Sequence, residues 1–175
     1  MKGVLRTGIV AGAMLALAAC GEGGSDQASL DNIDPADARK WLVENGYQEK
    51  GAMEGRGITI VSLNRAMIKA DERAVKYVLV ILKGTKSKDL GNSFAFDIGR
   101  CGVGPRDNPT VFEPADCVRY AELFLAAGTP IDFKVDHALW TGTVFSQIDN
   151  TLARPSSPKQ AEAVKALSEF LETQK

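Results

Sequence analysis

One stretch of the chain carries its own start and its own stop. It runs Glu113-Pro114-Ala115-Asp116-Cys117-Val118-Arg119-Tyr120-Ala121-Glu122-Leu123-Phe124-Leu125-Ala126-Ala127-Gly128-Thr129-Pro130-Ile131-Asp132. Pro114 suits the first helical position, where its missing N–H would be unpaired anyway. Glu113 and Asp116 favour the positive end of the helix dipole. Val118, Ala121 and Leu125, with Phe124 one step round, form an apolar face at helical spacing. Gly128 takes the left-handed conformation that closes a helix, and Pro130 prevents continuation. The stretch therefore predicts a helix with an extended exit.

Weaker copies occur elsewhere. Residues 75–84 parallel 118–128 with one residue fewer, and residues 163–171 repeat the pattern behind Ser157-Pro158. Asp34-Pro35-Ala36-Asp37, leading to Trp41-Leu42 and Gly46, echoes Glu113-Pro114-Ala115-Asp116 and its Gly128. The spacing is roughly 38 to 46 residues, within the range of helical-repeat units. This predicts a mainly α chain.

The amino terminus is read separately. Lys2 and Arg6 precede an apolar run from Gly8 to Ala19, shorter than the roughly 20 residues a membrane-spanning helix needs. Residues 1–19 therefore read as a secretory signal. The run ends in Leu17-Ala18-Ala19-Cys20-Gly21, which resembles a bacterial lipobox. That resemblance implies cleavage before Cys20, acylation of its thiol and amine, and attachment to a membrane. Gly21 in place of Asp favours the outer membrane, facing the periplasm, by the same resemblance. Residues 20–33 read as a lipidated flexible tether, being small and polar up to Ser29, and residues 34–175 as a single domain.

The chain has 21 basic and 22 acidic side chains. Removing residues 1–19 takes away Lys2 and Arg6, which leaves 19 basic and a net charge of −3. A mildly acidic domain with no basic run makes a poor nucleic-acid partner. About 145 residues beyond the tether suffice for one hydrophobic core. Cys20 is assigned to lipid. Cys101 and Cys117 remain in a compartment where disulfides persist, and pairing them would close a loop of about 16 residues. A redox-active pair is the rival reading, without a C-x-x-C spacing to support it. Zinc is disfavoured by a single histidine and the absence of a tight Cys/His cluster.

Three apolar runs leave the fold class open between helix and strand: residues 58–62, 77–82 and 94–98. Residues 57–68 read as a short extended segment followed by a helix, and residues 73–83 as its helical partner. Trp140-Thr141 reads as the opening of another helix, weakened by Gly142. If the three runs are strands, the chain is instead a small α+β domain binding a small ligand or a cell-wall fragment.

The helical reading resembles divergent ankyrin repeats. Leu125-Ala126-Ala127-Gly128-Thr129-Pro130-Ile131-Asp132 is similar to that family's exit from the outer helix. Gly57-Ile58-Thr59 and Trp140-Thr141 are similar to its opening, and residues 71–77 to its turn into the outer helix. No unit keeps the family's Pro-Leu-His run, and the spacing exceeds its 33-residue period, so long inter-repeat loops are implied. The resemblance implies non-enzymatic binding of a periplasmic or envelope protein, as an immunity protein against a toxin or as a scaffold.

No catalytic arrangement stands out, and no cofactor is expected. His137 lies beside Asp136 without a placed nucleophile. Ser62 and Ser146 lack an elbow motif. Asp89, Asp97 and Asp107 do not follow a calcium-loop spacing. The glycine-rich residues 99–105 lack the Lys-Ser/Thr of a phosphate loop. Trp140, His137, Arg100 and Arg106 are the candidate partner-binding residues; Trp140 and Tyr120 are aromatic candidates for an interface anchor, with core packing the favoured role for both.

Overall fold

The computed structural model describes residues 30–49, 57–103, 111–137 and 140–175. The signal, Cys20 and Arg106 lie outside the described residues, as does the tether up to residue 29. The described chain is mainly helical. After a 3-10 turn at Leu30–Asn32 come α1 (Pro35–Glu44), α2 (Ile60–Ile68), α3 (Glu72–Thr85) and α4 (Ser87–Ser93). α4 continues directly into a π-helical turn, Phe94–Ile98. A 3-10 turn at Pro114–Asp116 leads into α5 (Cys117–Ala126). A hairpin of β1 (Val135–His137) and β2 (Trp140–Gly142) follows, then α6 (Val144–Ala153) and α7 (Pro158–Glu172).

All three ambiguous runs are helical apart from Ile58 and Thr59. α3 shows why. Its buried residues Ala74, Val75, Val78, Leu79 and Leu82 fall at helical intervals, while Val80 is only partly buried. A strand would have put Val78, Val80 and Leu82 on one face. In α5 the stop is where the sequence puts it, but Pro114 opens a 3-10 turn and the α-helix itself begins at Cys117, and the buried face is rotated. Cys117, Tyr120, Ala121 and Phe124 are buried, while Val118 and Leu125 are only partly so. Tyr120 decides this, because its hydroxyl finds Met67 O at 3.3 Å and the ring can then be fully enclosed. Trp140-Thr141 does not open a helix. It lies in β2, paired antiparallel with β1, and α6 begins one step later, at a box in which Thr143 and Ser146 cap each other's backbone. The same Thr-x-x-Ser box, Thr59 and Ser62, opens α2.

Three helices end alike. Gly128 closes α5 at φ +81°, with Thr129 N donating to Phe124 O and Gly128 N to Leu125 O. Gly46 closes α1 at φ +76° by the same pair of bonds. α2 ends identically but with Ala70 at φ +51°. Asp71 then caps α3 by accepting from Ala74 N, and accepts the Tyr47 hydroxyl at 2.6 Å. Burial first, then Asp71, pushes the Tyr47 hydroxyl up to about 12.

Packing runs along two rows. α1, α3, α5 and α7 touch in that order, and α2 touches α4 while the π-turn touches α6. Between the rows, α2 packs on α3, the π-turn on α5 and α6 on α7. Leu79, Leu82, Phe94, Ile98, Phe124 and Leu167 are among the side chains fully enclosed between them. Cys101 and Cys117 are joined by a buried disulfide, Cα–Cα 4.9 Å, which ties the end of the π-turn to the start of α5.

Candidate functional site

The capping box at Thr59 and Ser62 fixes where α2 begins and so which side of it stays open. Ile60, Asn64 and Ile68 follow at intervals of one helical turn, with Val61 beside them. Val61 and Ile68 are 46% and 58% exposed, among the few large apolar side chains left open among the described residues. Next to this side lie Asp89, Asn92 and Ser93 of α4 and Phe96 and Asp97 of the π-turn. Together with Ile60 and Asn64 they line an open groove of about 290 Å³.

The π-turn sets the groove's end. Its wider winding appears as a bond from Gly99 N back to Phe94 O at 3.2 Å. Such turns frequently accompany functional sites. Three anchors hold it. Gly102, at φ +72°, donates to Asp97 O at 2.8 Å, and Gln160 Nε2 of α7 donates to Arg100 O at 2.9 Å. The Cys117 sulfur rests 3.5 Å from Ile98 O, a packing contact because a disulfide sulfur has no proton to donate. Gly99 allows α6 to approach, since a Cβ there would meet the Gln147 side chain at 2.8 Å.

Asp97 is the unusual group. Part of the residue remains open, but its carboxyl is set among protein atoms, and burial pushes it above the ordinary carboxylate range. The Ser93 hydroxyl, donating at 2.5 Å, and the Arg100 charge pull in the other direction without cancelling the shift. A carboxyl held against its solvation in a cleft marks a candidate site. Asn64 supplies a second such feature: its Oδ1 is buried without a hydrogen-bond partner.

The residues named from sequence divide as follows. The Trp140 ring lies 4.7 Å from Phe96, and the Arg100 guanidinium lies 5.7 Å from the same ring. Two of the four partner-binding candidates thus meet on Phe96, at the groove. Trp140 is positioned by Gly142, where a Cβ would strike the indole at 2.6 Å. His137 pairs with Trp140 across the hairpin. Arg106 and Asp107 lie outside the described residues. Asp89 and Asp97, which look scattered in the sequence, line one groove. A signal existed: positions 89, 92, 93, 96 and 97 share a helix face, visible only once residues 87–98 are read as continuous helix.

Among the described residues no three His, Cys, Asp or Glu side chains gather as a metal site would require. No helix among them is long and apolar enough to cross a membrane. No family model, curated protein or solved structure matches the chain.

Proposed function

We propose that the chain is a lipid-anchored envelope protein, probed by its surroundings through a divergent ankyrin-like helical array that binds a protein partner without catalysis. In this reading α2, the α4–π segment and α6 form the inner row, and α3, α5 and α7 the outer row. The β1–β2 hairpin is a finger between units. The recurring glycine-closed helix ends and Thr-x-x-Ser openings support the assignment of units. The two-row packing supports their stacking. The anchor is Cys20, on the strength of the lipobox-like residues around it. An immunity protein or an envelope scaffold would each use such a surface.

The observation that carries the binding reading is the exposed apolar pair Val61 and Ile68 on the inner row, beside a formed groove. Apolar side chains gathered on an open face mark contact surfaces more often than scattered ones do. The test is capture from a native envelope extract with the full chain and with a Val61→Ser/Ile68→Ser variant. One protein held stoichiometrically by the wild type, and lost by about tenfold or more in the variant at unchanged stability, is expected for two anchors of a protein interface. Equal capture by both forms sinks this face as the binding surface. For the anchor, Cys20→Ser is expected to abolish palmitate labelling and release the chain from membranes; continued labelling would reject the lipid assignment.

A further inference from the structure

The groove offers acceptors at Asn64 Oδ1, Asp89 and Asp97, and the Asn92 amide, which can accept or donate, lies among them. Asn64 Oδ1 is buried and unpaired. Asp97 receives one bond, from Ser93 Oγ to Oδ2. Asp89 meets Lys86 only at 3.8 Å, with both side chains nearly half exposed. Such an exposed pair is weak and readily exchanged. Ser93 has its proton committed to Asp97. The groove floor adds the Phe96 ring, with Trp140 against it. Arg100 stands over Phe96 and acts on Asp97 through space. Two carboxylates and a buried unpaired amide oxygen beside an aromatic ring favour a cationic donor that can also stack. That describes guanidinium better than ammonium, because its planar fork serves several acceptors at once and lies flat on a ring. The volume of about 290 Å³ accommodates one long side chain. Beside it, Val61 and Ile68 offer apolar contact to whatever flanks that side chain.

We infer that the groove of Asn64, Asp89, Phe96 and Asp97 is a receptor pocket for an arginine side chain presented by the protein partner, with apolar residues on either side of that arginine. This rests on the protein-binding reading and specifies the partner's chemistry. The arginine donates to Asn64 Oδ1 and to the Asp97 carboxylate, while its plane lies along Phe96.

The test uses the full chain, isotope-labelled, with backbone and Asn side-chain amide signals followed by NMR. The probes are acetyl-arginine methylamide, its neutral isostere acetyl-citrulline methylamide, and a blocked Leu-Arg-Leu peptide. The arginine amide is expected to shift signals of Asn64, Phe96 and Asp97, and citrulline to bind about tenfold more weakly for loss of charge-assisted bonds. Two isosteric variants sharpen the reading. Asp97→Asn should weaken arginine binding by about tenfold, and Asn64→Asp should strengthen it by a similar factor. Equal binding of arginine and citrulline, or an Asn64→Asp variant that binds more weakly, overturns the pocket. Leu-Arg-Leu should bind more tightly than the arginine amide and also shift Val61 and Ile68. If the peptide shifts Val61 and Ile68 but leaves the groove untouched, the arginine pocket fails while the protein-binding reading stands. If the single amide binds as tightly as the peptide, the flanking apolar contacts add nothing and Val61 and Ile68 fail as part of the binding surface, while the arginine pocket stands.

Discussion

Ala70 occupies a position that its neighbours in the chain give to glycine. It closes α2 at φ +51° with the same two hydrogen bonds that Gly46 and Gly128 make. A side chain in the left-handed region costs about 1 kcal/mol. Ala70→Gly is therefore expected to stabilise the chain by up to about that amount, read as a higher urea midpoint at unchanged slope; a loss of stability would show that the alanine methyl contributes more than the strain costs. Asp97 is a second residue held at a cost. Its carboxyl titrates above the ordinary value because it is buried. A group whose folded value is raised contributes stability that is complete below the unfolded value and is lost as pH rises through the folded one. Ionised Asp97 thus weakens the fold near neutral pH. Asp97→Asn should match wild-type stability in acid and exceed it at pH 7, and denaturation midpoints across pH check this. A neutral-pH loss instead would mean that the carboxylate is held by partners stronger than Ser93 and Arg100. Asp97 was legible as an aspartate in an apolar run, but nothing in its sequence neighbourhood reveals its burial, which depends on tertiary packing.

At the scale of the element, the π-turn joins structure to site. It is pinned by the disulfide, by Gly102 and by Gln160 from the far end of the chain. The disulfide closes a loop of 16 residues, which by the chain-entropy relation contributes about 3 kcal/mol. Replacing Cys101 and Cys117 together by serine is expected to cost about that much. It should also speed amide exchange through Asp97–Gly102 before it affects α3 or α7. Uniform acceleration across all helices would deny the π-turn any local dependence on the bridge. Five helix starts are legible in principle because caps are local: Asp34, Thr59, Asp71, Thr143 and Ser157 each accept from a backbone N–H two or three residues on, whereas α4 and α5 begin without a side-chain cap. The π-turn was not readable. It packs on α5 and α6, and Gln160 of α7 holds Arg100 O just beyond it, and these are contacts that no residue within the turn announces. The rotated face of α5 has the same origin, since Tyr120 and Val118 are both plausible core residues until Met67 O is placed.

For the molecule as a whole, each row depends on its neighbours. α7 completes the row next to α5 and α6 through Val164, Leu167 and Leu171, all fully buried. Burying three such side chains is worth about 6 kcal/mol, of the order of a small domain's whole stability. A chain ending after Arg154 is accordingly expected to lose its cooperative thermal transition rather than one helix's worth of ellipticity. A sharp transition with only the α7 signal missing would show that the remaining units fold without that cover.

The sequence by itself determined the caps and stops of the helices, their apolar periodicity, and the pair of cysteines available for a bridge. All of these act over a few residues, where backbone hydrogen bonding and side-chain spacing are decisive. Only the tertiary structure decided which face of each helix is enclosed. It also decided that Trp140 belongs to a hairpin, and that Asn64, Asp89, Phe96 and Asp97 share one groove. Those outcomes follow from the packing of α2 against α4 and of the π-turn against α6. Such contacts bring together residues far apart in the chain, where local spacing carries no information.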